Sequence, residues 1–435
     1  MPNFRKVLLL VGLFIFVLVL SGCQLIGGKD KEKTVTLKYW GLWEQAPTIN
    51  TLISEYKKIK PNVTISYEKK SPQQYRESIQ TQIDAGKGPD IFRFHNTWVP
   101  MLKDQLAPVP AGILSASDFK KNFYPTVFFD LRNSNKEFVG VPLEIDGLAL
   151  FWNVDIFKAV GLTSPPATWI ELENNAKLLT VRDASGKIRT AGAAMGVAIN
   201  VDHFSDILGL MILQNGGDPK NPSDKKSQDA IEYYLKFAKG EGRVWDELMP
   251  ASTTAFAGGN LAMYFGPSWR AIEFKNLNPT LNFKVAPVPQ LPGGKVAWAS
   301  YWVEGVSAQS PNSKEAWEFV KFLQEDTNLV KFYAEAAKSP GRFFGEPYPK
   351  VSLALKLSLD PLIGAIISQA PYMKSFPMAS RTFDNGLNDQ IIKAYEDAVN
   401  SINQGTATKS ALETATKNIV NIYTRYTSST STTKK

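Results

Sequence analysis

An α/β fold is predicted by two patterns near the start of the chain and by the chain's size. Val35, Leu37 and Tyr39 alternate as in a strand, and Ile49, Leu52, Ile53 and Tyr56 then recur at helical spacing. After the break at Lys60-Pro61-Asn62, Val63, Ile65 and Tyr67 alternate again. Strand, helix and strand in that order open a parallel sheet. At 435 residues, 44% hydrophobic and 21% charged, the chain is globular in composition and long enough for two domains.

Ahead of this unit stands a secretory pattern. Arg5 and Lys6 precede fourteen apolar or glycine residues, Val7 to Leu20, followed by Ser21, Gly22 and Cys23. As a helix the run would be about 21 Å long, short of a hydrocarbon core of about 30 Å. Leu20-Ser21-Gly22-Cys23 resembles the lipobox of bacterial lipoproteins. That resemblance implies cleavage before Cys23 and acylation of its thiol and new amine. Residues 1–22 are then a signal peptide, and several acyl chains hold the rest at the outer face of a cell membrane. Cys23 is the sole cysteine, so no intramolecular disulfide is expected. Residues 23–33 are polar and patternless, a lipidated flexible tether.

Further along, a helix near Gln73 to Ala85 ends at Gly86, and Pro89-Asp90 leads into the short apolar strand Ile91–Phe94. Trp40 to Glu44 and His95 to Trp98 follow two strand ends, the place where ligands sit in open α/β sheets. Gly140 to Gly147 is a bend, and Leu148–Trp152 a buried strand. Thr168 with Glu171 has capping-box spacing. His203 to Gln214 is helical. Leu261–Phe265 is a strand, after which Pro267 starts a helix and places its neighbours at the positive end. Pro287, Pro289 and Pro292 exclude a long central strand. Ser313 caps a helix with Ala316, Trp317, Val320 and Leu323 on one face. Leu387, Ile391, Ala394, Ala398 and Ile402 form a stripe, and Leu412, Ala415, Ile419 and Tyr423 another. Residues 427–435 are Ser, Thr and Lys, a disordered tail.

Six stretches in order carry a family resemblance. They are Glu55-Tyr56 with Lys60–Ile65, Ala85–Ile91, Val141 to Phe157, Pro166–Trp169, Phe256 to Trp269, and Ala316–Phe319. The chain from about Thr34 to Tyr426 resembles the extracellular solute-binding proteins of family 1. The resemblance implies a two-lobed periplasmic-binding-protein fold, each lobe an α/β sheet, joined by a hinge of several crossovers. It places crossovers at Glu144–Gly147, near Lys284–Val288 and near Gln324–Asn328. The N-terminal lobe is then 34–145 with 286–325, and the C-terminal lobe 146–285 with 326–426. The implied activity is capture of a sugar or oligosaccharide for an ABC permease by a monomer, with no cofactor or metal.

Sugar capture asks for flat apolar faces against C–H groups and polar groups against hydroxyls. Trp269 holds the position at which this family stacks a sugar ring, the alternative being core packing, and Arg270 follows it. Trp40, Trp43 and Glu44 match the first ligand loop, and Asn96 and Trp98 follow a strand end. His95 fits a ligand contact or a satisfied structural histidine. Asp146 fits a ligand contact or a hinge hydrogen bond. Trp302 and Glu304 follow the second crossover, and Arg381, Phe383 and Asp384 precede a long helix; Arg381 suits a fork onto two hydroxyls or an anionic sugar.

Other classes fit less well. The formal charge of +8 (49 Lys and Arg against 41 Asp and Glu) becomes +6 without Arg5 and Lys6, and forms no basic stripe for nucleic acid. The two histidines stand apart with no metal-ligand spacing, and Ser268 lies in no Gly-x-Ser-x-Gly elbow. An iron binder wants clustered tyrosines and a polyamine binder an acidic ladder. The alternative is a lipid-anchored glycoside hydrolase, which needs two carboxylates about 5–9 Å apart, from among Asp146, Glu304 and Asp384.

Overall fold

The computed structural model describes residues 33–427. The signal segment, Cys23, the tether up to residue 32 and the tail beyond Thr427 lie outside the described residues. Thr427 itself, expected in the tail, closes the last helix.

Strand β1 (Val35–Gly41) buries Val35, Leu37 and Tyr39 and exposes Thr36 and Lys38, as the alternation requires. The helix Ala46–Ile59 buries Ile49, Leu52 and Tyr56, then returns the chain to β2 (Val63–Lys69), parallel to β1. Helix Tyr75–Asp84 ends at Gly86, whose φ of 68° suits glycine, and leads to β3 (Ile91–His95), buried throughout and parallel to β1. After β4 (Val141–Pro142) the chain leaves this sheet. A second sheet takes β5 (Ala149–Asn153), β6 (Val181–Arg182), β7 (Ile188–Ala193), β8 (Leu261–Gly266) and β9 (Phe283–Ala286). Next come β10 (Ala297–Trp298), β11 (Trp302–Val306) and, much later, β12 (Met373–Lys374).

The first sheet runs β2-β1-β3-β11-β4 and the second β6-β7-β8-β5-β9, each five-stranded; β10 and β12 pair as a small parallel sheet. β11 lies antiparallel between β3 and β4, with Glu304 opposite Arg93. The capping box at Thr168 and Glu171 is present, at the head of helix Trp169–Leu179. The stripes at 387–402 and 412–419 are buried on helices Leu387–Asn403 and Thr408–Thr427, which pack on each other.

The first crossover falls where the bend predicts it, between β4 and β5. Its closest approach is Gly147, paired with Ala299: a Cβ there would lie 1.8 Å from the Trp298 carbonyl oxygen. The second lies later than Lys284–Val288. β9 still pairs with β5, Gln214 Nε2 donates to the carbonyls of Pro289 and Val296, and β10 touches helix Phe204–Gln214. The chain changes sheets only across residues 299–301. The proline-rich stretch is pinned by side-chain amides, which sequence spacing does not reveal. The third crossover is also displaced from Gln324–Asn328. Helix Asp326–Ala337 packs on helix Ala46–Ile59 of the first sheet, with Lys331 Nζ 2.8 Å from Glu55 Oε1. The chain touches the second lobe's helix Arg270–Leu277 at Gly341, whose carbonyl accepts from Asn276 at 2.8 Å, and joins helix Leu387–Asn403 only after β12.

Candidate functional site

A cavity of about 530 Å³ opens between the two sheets at the crossovers, a size within the usual range for small-molecule sites. The first lobe contributes Trp43, His95 and Trp302. The crossover segments contribute Glu144, Asp146, Gly147, Leu148, Trp298 and Ser300. The second lobe contributes His203, Asp206, Pro267, Trp269, Arg270, Ile272 and Glu273. Arg342, Glu346 and residues 380–383 complete the wall.

Two aromatic surfaces belong to opposite lobes. Trp269 precedes helix Arg270–Leu277, just past the carboxyl end of β8, and is 38% exposed. The Arg270 guanidinium lies 4.3 Å from its ring centroid, and His203 meets it edge-on at 6.0 Å. On the first lobe, Trp302 is a half-buried ring braced edge-on by Trp43 (5.4 Å), Trp98 (5.3 Å) and His95 (5.1 Å).

The polar groups around these rings are mostly ordered by one another. Arg270 Nε donates to His203 Nε2 at 3.0 Å, so the His203 proton sits on Nδ1 and points to Ser380 Oγ at 2.7 Å. Burial holds the imidazole below its ordinary pKa, hence neutral. Arg270 Nη1 donates to Glu273. Asp206 accepts from Trp298 Nε1 at 2.8 Å. Burial likewise lowers His95 to about 3, and its ring nitrogens meet Thr97 and Ser300.

Asp146 accepts from the Gly147 amide at 2.7 Å, the Ser268 amide at 3.0 Å and the Ser268 hydroxyl at 2.9 Å. It therefore ties the first crossover to the turn before Trp269. Burial raises its pKa to about 7 despite those bonds. Glu44, Glu144 and Glu346 bring carboxylate oxygens within 4.8 Å of one another. Burial, with the Glu346 charge beside it, pushes the Glu144 carboxyl well above the usual range. Glu346 is half-buried, but the Arg342 guanidinium 2.6 Å away outweighs the loss of water and lowers it. Glu144 thus holds the proton of the pair, while one of its oxygens accepts from the Trp302 amide at 3.0 Å.

Of the residues singled out in the sequence, Trp43, Asp146, Trp269, Arg270, Trp302, Arg381 and Phe383 line the cavity, as does His95. Six do not. Trp40 stacks under Lys70, 4.1 Å from its centroid. Trp98 is fully buried behind Trp302. Asn96 is buried, donating to Asp130 at 3.0 Å and accepting from the Tyr301 amide. Glu44 and Glu304 are both claimed by Arg93, the latter at 2.7 Å. Asp384 is fully buried and accepts from the Gly386 and Asn388 amides. Sequence reasoning passed over Glu144, Asp206, Glu273, Trp298, Ser300, Arg342, Glu346, Ser380 and Thr382 in the wall. His203 had drawn notice only as an isolated histidine. Its spacing to Asp206, one helical turn on, was the available signal; nothing local marks Arg342 or Glu346.

The fold has counterparts among solved structures. The structure resembles a sugar-binding protein MalE from Xanthomonas citri, at a TM-score of 0.73 with 20% identity, covering 90% of this chain and 98% of that one. It also resembles a cyclo/maltodextrin-binding protein complexed with maltotetraose, at 0.71 with 18% identity, covering 91% and 98%. Both share the two-lobed architecture. In sequence the chain is 24% identical to the maltodextrin-binding protein MdxE of Bacillus subtilis, over 69% of this chain and 77% of that one. It is 25% identical to an uncharacterized lipoprotein encoded in the oleD 5' region of Streptomyces antibioticus, over 74% and 73%. Residues 41–329 match the model of the bacterial extracellular solute-binding proteins, and the chain belongs to that family.

Proposed function

We propose that this protein captures a sugar or oligosaccharide between its lobes and presents it, chemically intact, to an ABC permease. The observation that carries this reading is the pair of aromatic surfaces, Trp269 on one lobe and Trp302 on the other, across a cavity edged by carboxyl and guanidinium groups. Flat rings accept the C–H faces of a pyranose, and the charged rim accepts its hydroxyls. The names of the maltodextrin-binding relatives support the same class. The lobes close by rotation about the crossovers near 143–148, 299–301 and 373–386.

The protein acts as a monomer, without a cofactor. The hydrolase alternative is disfavoured by placement: Glu304 and Asp384, two of its three candidate carboxylates, are buried away from the cavity. Calorimetry against a panel of neutral oligosaccharides, with chromatography of the ligand afterwards, tests both points. Binding with the sugar recovered unchanged is expected, and shortened products would favour the hydrolase. Trp269→Ala should weaken the bound sugar by roughly 1–3 kcal/mol, the scale of one aromatic contact, and leave the free protein's melting midpoint in place. Wild-type affinity in that variant would remove Trp269 from the site.

Cys23 bears the membrane anchor in this reading, at the outer face. No described helix is long and apolar enough to cross a membrane. A radiolabelled fatty acid should mark the wild type in a bacterial host and not Cys23→Ala. Equal labelling of the two would discard the anchor.

A further inference from the structure

A loop of the first lobe reaches across to the second at some distance from the first crossover. Residues 338–347 follow helix Asp326–Ala337, which packs on the first lobe's helix Ala46–Ile59. Ser339 Oγ lies 3.5 Å from Thr48 Oγ1 of that helix. At the other end the Pro347 carbonyl accepts from the Ile145 amide at 2.9 Å, and the Tyr348 ring lies 5.2 Å from that of Tyr333. Between these moorings Arg342 braces the loop: Nε donates to the Phe344 carbonyl at 3.3 Å and Nη2 to Glu346 at 2.6 Å.

The tip of the loop meets helix Arg270–Leu277, which is fixed in the second lobe by Phe274 against Phe151, Phe256 and Phe283. The Gly341 carbonyl accepts from Asn276 Nδ2 at 2.8 Å, and Lys275 Nζ lies 5.6 Å from the Phe343 ring centroid. Gly341 has φ of 77°, and a Cβ there would come within 3.3 Å of Asn276 Nδ2, so the tip suits glycine twice over. Phe343 is 51% exposed, so first-lobe packing does not account for its ring.

These contacts stand on the rim of the cavity. Arg342, next to Gly341, lines it from one side, and Ile272 and Glu273, about one turn before Asn276, line it from the other. The helix begins beside the first crossover, where Asp146 accepts from the Ser268 amide. Asn276 lies seven residues beyond Trp269, about 10 Å along the axis. A rotation that opens the cleft widens the gap there and parts the pair. Asn276, Gly341 and Phe343 are all exposed, so both contacts are of the weak, breakable kind.

We propose that residues 338–347 are a latch: moored to the first lobe, they clasp the far end of helix Arg270–Leu277 through Gly341 and Phe343 and favour the closed cleft whether or not a ligand is bound. The proposal rests on the hinge motion and not on the identity of the ligand. A latch slows the escape of whatever the cleft holds, and Arg342 and Glu346 of the same loop make its position sensitive to the contents of the cavity.

The test compares wild type, the double variant Asn276→Ala with Phe343→Ala, and Phe343→Tyr by small-angle scattering, with and without maltotetraose. The double variant's ratio of closed to open molecules should fall about tenfold, the joint scale of an exposed cation–π contact and a hydrogen bond. Its ligand-free radius of gyration should therefore exceed that of wild type. Phe343→Tyr keeps a ring beside Lys275 and should match wild type. Melting midpoints should stay close together, because the substituted side chains lie at the surface. Maltotetraose bound to wild type should leave the double variant faster, by up to the same factor. A ligand-free radius equal to that of wild type overturns the latch. So does a midpoint several degrees lower, which would make these contacts part of the general stability of the fold. If the radius is unmoved by the variant but shrinks when maltotetraose binds, the hinge stands without the latch. If it is unmoved by both although the sugar binds, the hinge falls too. If maltotetraose does not bind, the saccharide reading is what suffers, and ligand-free scattering still decides for or against the latch.

Discussion

Arg93→Met should lower the free energy of unfolding by about 3–5 kcal/mol, the range for stripping one partner from a buried ion pair. Arg93 is fully buried in the middle of β3 and stands opposite Glu304 of β11. Its Nε lies 2.7 Å from Glu304, its Nη1 bonds Glu44, and Glu144 is 3.8 Å away. Tyr39 donates to the same Glu304 oxygen at 3.0 Å. Methionine would fill much of the volume but leave carboxylates facing one another in a medium that cannot solvate them. Those carboxyls can relieve the repulsion by taking up protons. The loss should therefore be smaller at pH 5 than at pH 8. Urea unfolding at both pH values reads the effect. A loss under about 1 kcal/mol at pH 8 would show that the arginine is dispensable to the sheet.

Asp146 should make the wild type less stable as the solution turns from mildly acidic to neutral. Its carboxyl has a folded pKa of about 7 against an ordinary 3.8. A raised carboxyl pKa favours the folded state most fully below 3.8. That contribution is lost as pH climbs to the folded value, and nothing more is lost above it. Each pH unit between those limits is worth about 1.4 kcal/mol, so pH 5 to pH 7 spans roughly 3 kcal/mol. An asparagine in this place would imitate the protonated acid, its carbonyl accepting from the Gly147 and Ser268 amides and its amide donating to the Ser268 hydroxyl. The Asp146→Asn variant should thus gain on the wild type from pH 5 to 7 and hold a constant lead above about 7.5. Denaturation curves for the two proteins that shift in parallel across pH 5–8 would mean that Asp146 is already ionised in the fold.

The sheets were readable in the sequence wherever one face is buried and the other wet. Val35, Leu37 and Tyr39 state their strand by alternation, and the helix before Lys60-Pro61-Asn62 is bounded by that punctuation. The cleft was readable where a residue adjoins a strand end, as Trp269 and Trp43 do, and, through the family resemblance, at Asp146, Arg381 and Phe383. Glu44 drew attention in the first ligand loop and Glu304 after the second crossover, yet their partner is an arginine inside the buried run Ile91-Phe92-Arg93-Phe94-His95. A cation in such a strand demands buried anions, and that demand was legible. Arg342 and Glu346 had no such marker. Their place in the wall depends on the route of a chain that stays with the first lobe through helix Asp326–Ala337, and side-chain pairs such as Lys331–Glu55 set that route.

The position of β11 bears on the order in which the molecule can be built. All five strands of the second sheet lie between Ala149 and Ala286, in one unbroken stretch. The first sheet cannot be completed by its own opening residues, because the slot between β3 and β4 stays vacant until Trp302–Val306 has been made. On a ribosome or a translocation channel, where the chain emerges from its amino end, the earlier-made lobe must wait for the later one with an open edge along β3. A vacant strand slot of this kind invites pairing with a foreign chain. Arg93 sits at the centre of that edge with Glu304 still to come, so the charge that stabilises the finished sheet also guards the unfinished one.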